Sequence, residues 1–219
     1  IRLALSFFGM GLLYWSLATG SAWAQEKSVL KKAITVDIHC HIVTPEAEPL
    51  VKDLLTPEKD PFLRFATAET QQINRQQFAA LLPKLTDPQE RLKDMDRMGI
   101  AIQAISPGPN QYYYWTDPEL GVKLARMQND RVAEIVRTHA NRFVGMGTLP
   151  LQDTEKAVQE LERVVKELGF QAVEISSNVA GKDFDDPRFE RFWAKVQELD
   201  VLVFVHPAEF LVTGPDGSI

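Results

Sequence analysis

The chain has 219 residues, of which 45% are hydrophobic and 25% charged, with a net charge of −6. These proportions are typical of a globular domain with one sizeable core. The acidic balance argues against nucleic acid as a partner, because phosphate contacts need clustered Lys and Arg. A single cysteine, Cys40, excludes an intrachain disulfide.

Residues 1–24 have the pattern of a secretory signal peptide. Arg2 precedes an uncharged apolar run over residues 3–17, and Ala22-Trp23-Ala24 precedes the polar residues that begin at Gln25. This order predicts cleavage before Gln25, and so a domain over residues 25–219 that is exported to the periplasm or the extracellular space. The alternative is an uncleaved leader that anchors the protein, since about 20 apolar residues can span a membrane.

Residues 34–38 predict a short buried strand, and two histidines follow it directly. His39 and His41, at i and i+2, would point to one face with Cα atoms about 6.6 Å apart, from a rise of roughly 3.3 Å per residue. Both imidazoles would then be within reach of one metal ion. Cys40 lies between them and is predicted to face the other way, as a small buried residue rather than a ligand or nucleophile.

A second apolar run, residues 201–205, ends in His206. Neutral imidazole suits Zn, Fe, Ni or Cu, whereas Mg and Ca prefer oxygen ligands. A lone histidine at a strand end is usually structural, but the pair on one face together with His206 predicts a metal site. His139 is different, because it lies near the predicted end of a helix, where the helix dipole favours an imidazole in a structural role.

Residues 44–86 are rich in Gln, Lys and Pro and are interrupted by prolines, among them Pro45, Pro57, Pro61 and Pro83. A segment of this length predicts a functional insertion over the end of the first strand rather than a plain connector.

From Asp87 onward, helices and strands alternate. Helices are predicted at residues 87–98, 117–140, 153–168 and 186–199, and strands at residues 100–106, 143–149, 172–175 and 201–205. Apolar strands that alternate with amphipathic helices predict a parallel sheet covered by helices, either an open doubly wound sheet or a closed (β/α)8 barrel. The lack of a Gly-rich dinucleotide turn weakens the first. Histidines at the ends of strands 1 and 5 favour the TIM-like barrel, truncated after about strand 5.

Three segments resemble the amidohydrolase-related metal-dependent enzymes, in particular the branch that contains aminocarboxymuconate semialdehyde decarboxylase. They are residues 37–41, residues 141–150 and residues 203–207, and the resemblance covers about residues 34–207. It implies that His39, His41 and His206 bind one divalent metal ion, usually zinc. It also implies a proton-transfer histidine and an aspartate ligand on strands 6 and 8, beyond Ile219, so that the catalytic acid–base residues are unknown and the enzyme is incomplete as printed.

The resemblance implies a carboxy-lyase that removes CO2 non-oxidatively from a small unsaturated or aromatic carboxylic acid. One alternative is a hydrolase, in which the metal acidifies water that attacks an amide, ester or lactone. The other is a secreted metal-binding domain without catalysis, and fold alone does not choose between them. Membrane contact is expected only through an uncleaved leader, and a homodimer is compatible with the sequence.

Residues 112–115, Tyr-Tyr-Tyr-Trp, follow the second strand and are expected over the substrate-binding face. Trp115 is the predicted substrate-binding residue, because a flat ring or diene would stack on it. The alternative, that these aromatics pack the loop against the barrel rim, is equally compatible with the sequence. Glu209 is expected to be an exposed loop acid, although it lies only three residues after His206.

Overall fold

The computed structural model describes residues 34–56 and 66–207. The predicted signal peptide over residues 1–24 and the loop residue Glu209 lie outside the described residues. In the part of the chain that the structure describes, no helix combines the length and apolar character needed to cross a membrane.

Within the described residues, five strands form one sheet in the order β1-β2-β3-β4-β5. They are β1 (Thr35–Ile42), β2 (Ile100–Pro107), β3 (Phe143–Gly147), β4 (Ala172–Ser176) and β5 (Leu202–His206). Every neighbouring pair is parallel. Because all five strands run in the same direction, their carboxyl ends lie at the same edge of the sheet, and crossover connections join one strand to the next.

The connections contain helices. They are α1 (Glu48–Val51), α2 (Ala68–Thr86), α3 (Pro88–Met98), α4 (Pro118–Thr138), α5 (Thr154–Lys166) and α6 (Glu190–Leu199). Aspartate side chains at the N-caps of α3, α4 and α5 accept hydrogen bonds from the backbone of the first turn, as at Asp117 with Glu119 and Leu120. These caps satisfy amide groups that have no partner within the helix, which explains where the three helices begin.

The hydrophobic core lies between the sheet and the helices that cover it. Its buried side chains from strands include Ile105, Phe143, Val173 and Ile175, and those from helices include Val132, Leu161, Val164 and Phe192. The apolar faces of α4 and α5 thus pack on strands that are themselves apolar, the arrangement typical of parallel sheets.

The sheet is strongly curled. The ring centroids of His39 on β1 and His206 on β5 lie only 4.9 Å apart, although three strands separate them in the sheet. In a flat sheet these two strands would be about 19 Å apart, at roughly 4.8 Å per strand. The curl and the five consecutive parallel strands joined by helices confirm the predicted (β/α)8 TIM-like fold class.

The first part of the domain contains more regular structure than was predicted. Helix α1 and the 19-residue helix α2 lie within residues 44–86, and a functional role for this segment stays a prediction. Thr67 caps α2, and Pro83 is accommodated in its last turns. β1 continues to Ile42 and contains both histidines, but the prediction that its first residues are buried is wrong, because Val36 and Ile38 are exposed.

A candidate metal centre at the carboxyl ends of the strands

Among the described residues, three histidines and one glutamate converge at the carboxyl edge of the sheet. His39 and His41 come from β1, Glu174 from β4 and His206 from the last position of β5. One potential ligand atom from each lies within 4.8 Å of those of the other three. Imidazole nitrogens and a carboxylate are donors that transition metals and zinc accept, so the cluster has the ligand atoms of a divalent-metal site.

The histidine geometry fits a bound ion. The Nε2 atoms of His39 and His41 are 3.0 Å apart. Two nitrogens bound to one tetrahedral zinc at 2.0–2.1 Å would be about 3.3 Å apart, so little movement is needed to seat an ion. The ring of His206 lies 4.9 Å from that of His39 and 5.0 Å from that of His41.

Strand register explains how these side chains meet. His41 pairs with Ser106 of β2, and His206 pairs with Ser176 of β4. Both histidines therefore lie near the carboxyl ends of their strands, and the curl of the sheet brings their rings together. The structure places the three histidines that the sequence singled out in one cluster, and their binding of a metal stays a prediction.

Glu174 is the site residue that the sequence analysis missed. It is fully buried, and its two oxygens accept hydrogen bonds from Ser106 Oγ at 2.7 Å and from Tyr112 OH at 2.6 Å. His41 Nδ1 lies 3.2 Å from Ser106 Oγ and 3.6 Å from Glu174 Oε1. The available signal was a carboxylate inside an otherwise apolar strand, because a buried charge needs partners.

The surroundings keep His41 neutral. Burial, followed by the neighbouring His206 and His39, lowers the pKa of His41 to about 4. The uncharged imidazole is the form that binds a metal, so this histidine is ready to act as a ligand at neutral pH. Burial, followed by the nearby Glu174 carboxylate, raises the pKa of Tyr112, which therefore remains a hydrogen-bond donor.

Cys40 is buried, with 7% of its surface exposed, and belongs to the hydrophobic core. Burial, together with a hydrogen bond to Asp37 and the charge of that residue, raises the pKa of the Cys40 thiol to about 12. The prediction of a small buried residue is confirmed. His139 is the C-cap of α4, where its backbone N–H bonds to Ile135 and Val136, in agreement with a structural role.

The aromatic residues after β2 lie in two environments. Tyr112, Tyr113 and Tyr114 are buried. Trp115 packs edge-on against Tyr113 with ring centroids 6.1 Å apart, beside a small apolar cluster that includes Leu124. This packing corresponds to the structural alternative for the loop, and substrate stacking on Trp115 stays a prediction.

Comparison with known proteins places this geometry in context. The family model described as "Amidohydrolase" matches residues 36–216. The 2-amino-3-carboxymuconate-6-semialdehyde decarboxylase of Dictyostelium discoideum is 32% identical over 187 residues, covering 82% of this chain and 50% of that protein. The gamma-resorcylate decarboxylase of Rhodococcus jostii is 35% identical over 137 residues, covering 58% and 42% respectively. The chain thus spans about half the length of the curated relatives it matches.

The solved structures that match this chain also include decarboxylases. A 2,6-dihydroxybenzoate decarboxylase in complex with 2,6-dihydroxybenzoate has a TM-score of 0.64 and 26% identity, covering 82% of this chain and 52% of that chain. The dihydroxybenzoic acid decarboxylase of Polaromonas sp. JS666, with bound manganese and the inhibitor 2-nitroresorcinol, has a TM-score of 0.63 and 27% identity, covering 82% and 51%. The described fold is therefore similar to that of metal-dependent decarboxylases.

Proposed function

Because the chain belongs to the amidohydrolase family, we propose that it is a metal-dependent decarboxylase, which removes CO2 non-oxidatively from an unsaturated or aromatic carboxylic acid. The observation that carries this proposal is the convergence of His39, His41 and His206 at the carboxyl edge of the sheet. The reaction class follows from the relatives, which include decarboxylases of aminocarboxymuconate semialdehyde and of gamma-resorcylate.

In this proposal the three histidines hold one divalent ion through ring nitrogens. When bound, the ion would supply Lewis-acid chemistry by polarising oxygen atoms of the substrate. Zinc suits a donor set of three imidazoles. Manganese is the ion to test beside it, since the similar Polaromonas enzyme is described with bound manganese.

The chain's own side chains would shape the substrate position. The Phe204 ring lies 5.0 Å from that of His39 and gives the site an aromatic wall. A flat ring or diene packs well against such a surface. Trp115 remains the candidate for stacking from the loop after β2, and its contact with Tyr113 makes a purely structural role the alternative.

The test uses the complete protein that the gene encodes, with His206→Ala and a matched control, His139→Ala, which makes the same change outside the cluster. We expect about one divalent ion per chain in wild type and in the control, and little in His206→Ala. We expect CO2 release from 2,6-dihydroxybenzoate or from 2-amino-3-carboxymuconate-6-semialdehyde in the two proteins that hold metal. Elemental analysis and a CO2 assay give both results.

The same experiment separates the alternatives. Hydrolysis of an ester, amide or lactone without CO2 release would favour the hydrolase. Metal binding without turnover of any of these compounds would favour a non-catalytic metal-binding domain. Equal metal content in all three proteins would contradict the proposed site.

We also propose that the protein is exported, because residues 1–24 have the sequence pattern of a secretory signal peptide. N-terminal sequencing of protein from separated cell fractions tests this. A cytoplasmic product that retains residues 3–17 would contradict it.

A further inference from the structure

Glu174 lies beside the Nδ1 edge of the His41 ring. Its Oε1 is 3.6 Å from His41 Nδ1, whereas His41 Nε2 faces His39 Nε2 at 3.0 Å. Ser106 stands between the two groups, with Oγ 3.2 Å from His41 Nδ1 and 2.7 Å from Glu174 Oε2. The three side chains thus form a continuous chain of hydrogen bonds from β1 through β2 to β4.

Counting donors and acceptors assigns the protons in this series of hydrogen bonds. A serine hydroxyl has one hydrogen, and an ionised carboxylate can only accept. If Ser106 donates to Glu174, it can only accept from His41, so the proton of a neutral His41 is on Nδ1. The lone pair is then on Nε2, the nitrogen that faces the other histidines. Fixing a ligand's tautomer through its second ring nitrogen is a known means of tuning metal affinity.

We propose that Glu174, acting through Ser106, is a positioning residue that holds His41 in the orientation and tautomer needed to bind the metal. The inference rests on the proposed function, since it assumes that His41 is a ligand. Tyr112 completes the arrangement by donating to Glu174 Oε1 at 2.6 Å, so that both carboxylate oxygens are occupied by protein donors.

The competing assignment makes Glu174 a metal ligand itself, because its oxygen also falls within the 4.8 Å cluster. Two observations favour the positioning role. Each oxygen already accepts one short hydrogen bond, which leaves a single lone pair per oxygen for an ion. The carboxylate also approaches the Nδ1 edge of His41 rather than the Nε2 edge.

The test measures zinc affinity by competition with a chromophoric chelator, in the full chain and in Ser106→Ala, Ser106→Thr and Glu174→Gln. The matched control is Glu160→Gln, the same change at a glutamate that is equally buried but lies outside the cluster. We expect Ser106→Ala and Glu174→Gln to weaken zinc binding by about 10- to 100-fold. Ser106→Thr keeps the hydroxyl and should restore most of the affinity, and Glu160→Gln should leave it unchanged.

The melting temperature of each metal-free variant shows that the comparison is made between folded proteins. Wild-type affinity in Ser106→Ala together with a loss in Glu174→Gln would overturn the inference in favour of direct ligation. Wild-type zinc affinity in both variants would also overturn the inference, because the hydrogen-bond network would then contribute only to packing. A wild-type chain that binds no zinc would instead contradict the proposed function from which the inference starts.

Discussion

Neighbouring residues of β1 have opposite chemical roles because successive side chains of a strand point to opposite faces. His39 and His41 are directed to the cluster at the edge of the sheet, while Cys40 between them is 7% exposed and packs in the core. The metal cluster of the described residues accordingly contains imidazoles and a carboxylate and excludes this thiol. Cys40 behaves as a small apolar residue.

The first prediction concerns this thiol. Cys40 is buried and hydrogen-bonded to Asp37. A reagent that forms a mixed disulfide with thiols should therefore modify the folded protein only as fast as local or global unfolding exposes Cys40. In denaturant, one thiol per chain should react at once. A kinetic assay with Ellman's reagent, with glutathione as the exposed control, measures both rates. Rapid stoichiometric labelling of the native protein would contradict the burial of Cys40.

A glycine in β3 is required by close packing. An ideal Cβ at Gly145 would lie 2.5 Å from Cε1 of the buried Phe170 ring. We expect Gly145→Ala to lower the free energy of unfolding by about 1–3 kcal/mol, because the added methyl has no space. The same change in a Phe170→Ala background should be nearly neutral, since the clashing ring is gone. Denaturant unfolding measures both, and equal losses would exclude the clash as the cause.

Single residues also show what local sequence reasoning can find. The three histidines were identifiable because each lies at the end of an apolar run. Glu174 was not, because its partners Ser106 and Tyr112 are 68 and 62 positions away in the chain. A charged residue in a strand signals that partners must exist, but only the strand pairing shows which residues they are.

At the level of elements, α4, α5 and the end of β3 are joined by one buried glutamate. Glu160 on α5 is 1% exposed and accepts hydrogen bonds from Arg126 and Asn129 of α4 at 3.0 and 2.8 Å. Arg163 of α5 adds a bidentate ion pair. The Asn129 amide also bonds in both directions to the backbone of Thr148, directly after β3.

We expect Glu160→Ala to destabilise the domain by about 3 kcal/mol, because the buried Asn129 amide and the largely covered Arg163 guanidinium both lose an acceptor. Glu134→Ala is the control, since Glu134 is exposed and pairs only along its own helix with Arg131. That change should alter stability by less than about 0.5 kcal/mol. Urea unfolding of both variants measures the difference, and similar losses would argue against a structural role for the Glu160 network.

The elements differ in how far sequence could predict them. Helix α5 has a regular apolar face that includes Leu161 and Val164, and both its existence and its N-cap, Asp153, were predicted. Helix α2 was missed because its sequence has no regular apolar face. In agreement with this, none of its described side chains is buried. Pro83 further obscured it, since proline inside a helix usually argues against one.

At the scale of the whole domain, the site joins the two ends of the sheet. An ion held by His39, His41 and His206 would link β1 to β5, which have no direct strand pairing. A ligand that binds only the folded state stabilises it by about 2.7 kcal/mol at 100 times its dissociation constant. For a domain of this size that corresponds to a rise of roughly 5–10 °C in melting temperature.

We therefore expect zinc or manganese to raise the melting temperature by about this amount and a chelator to reverse the rise. His139→Ala should respond like wild type, whereas His206→Ala should show little response because the link to β5 is lost. Differential scanning fluorimetry measures the shifts. An equal response in all three proteins would mean that the ion binds elsewhere.

The global fold was predictable in its order but not in its curvature. Five apolar strands alternating with helices indicated a parallel sheet, and this order is observed. No local pattern distinguishes a curled sheet from an open one, because the distinction depends on how distant strands approach. Only the histidines shared by strands 1 and 5 indicated the curl, and they did so through chemistry rather than through propensity.

The contact between His39 and His206 also bears on the kinetics of folding. It joins residues near the two ends of the described domain, and the entropy of closing so long a loop delays such contacts relative to local ones. An interaction absent from the transition state changes the unfolding rate and leaves the folding rate nearly unaltered. Stopped-flow measurements with and without zinc should accordingly show slower unfolding and unchanged refolding, so that the bound ion extends the lifetime of the native state; an equally accelerated refolding would place the contact early in folding instead.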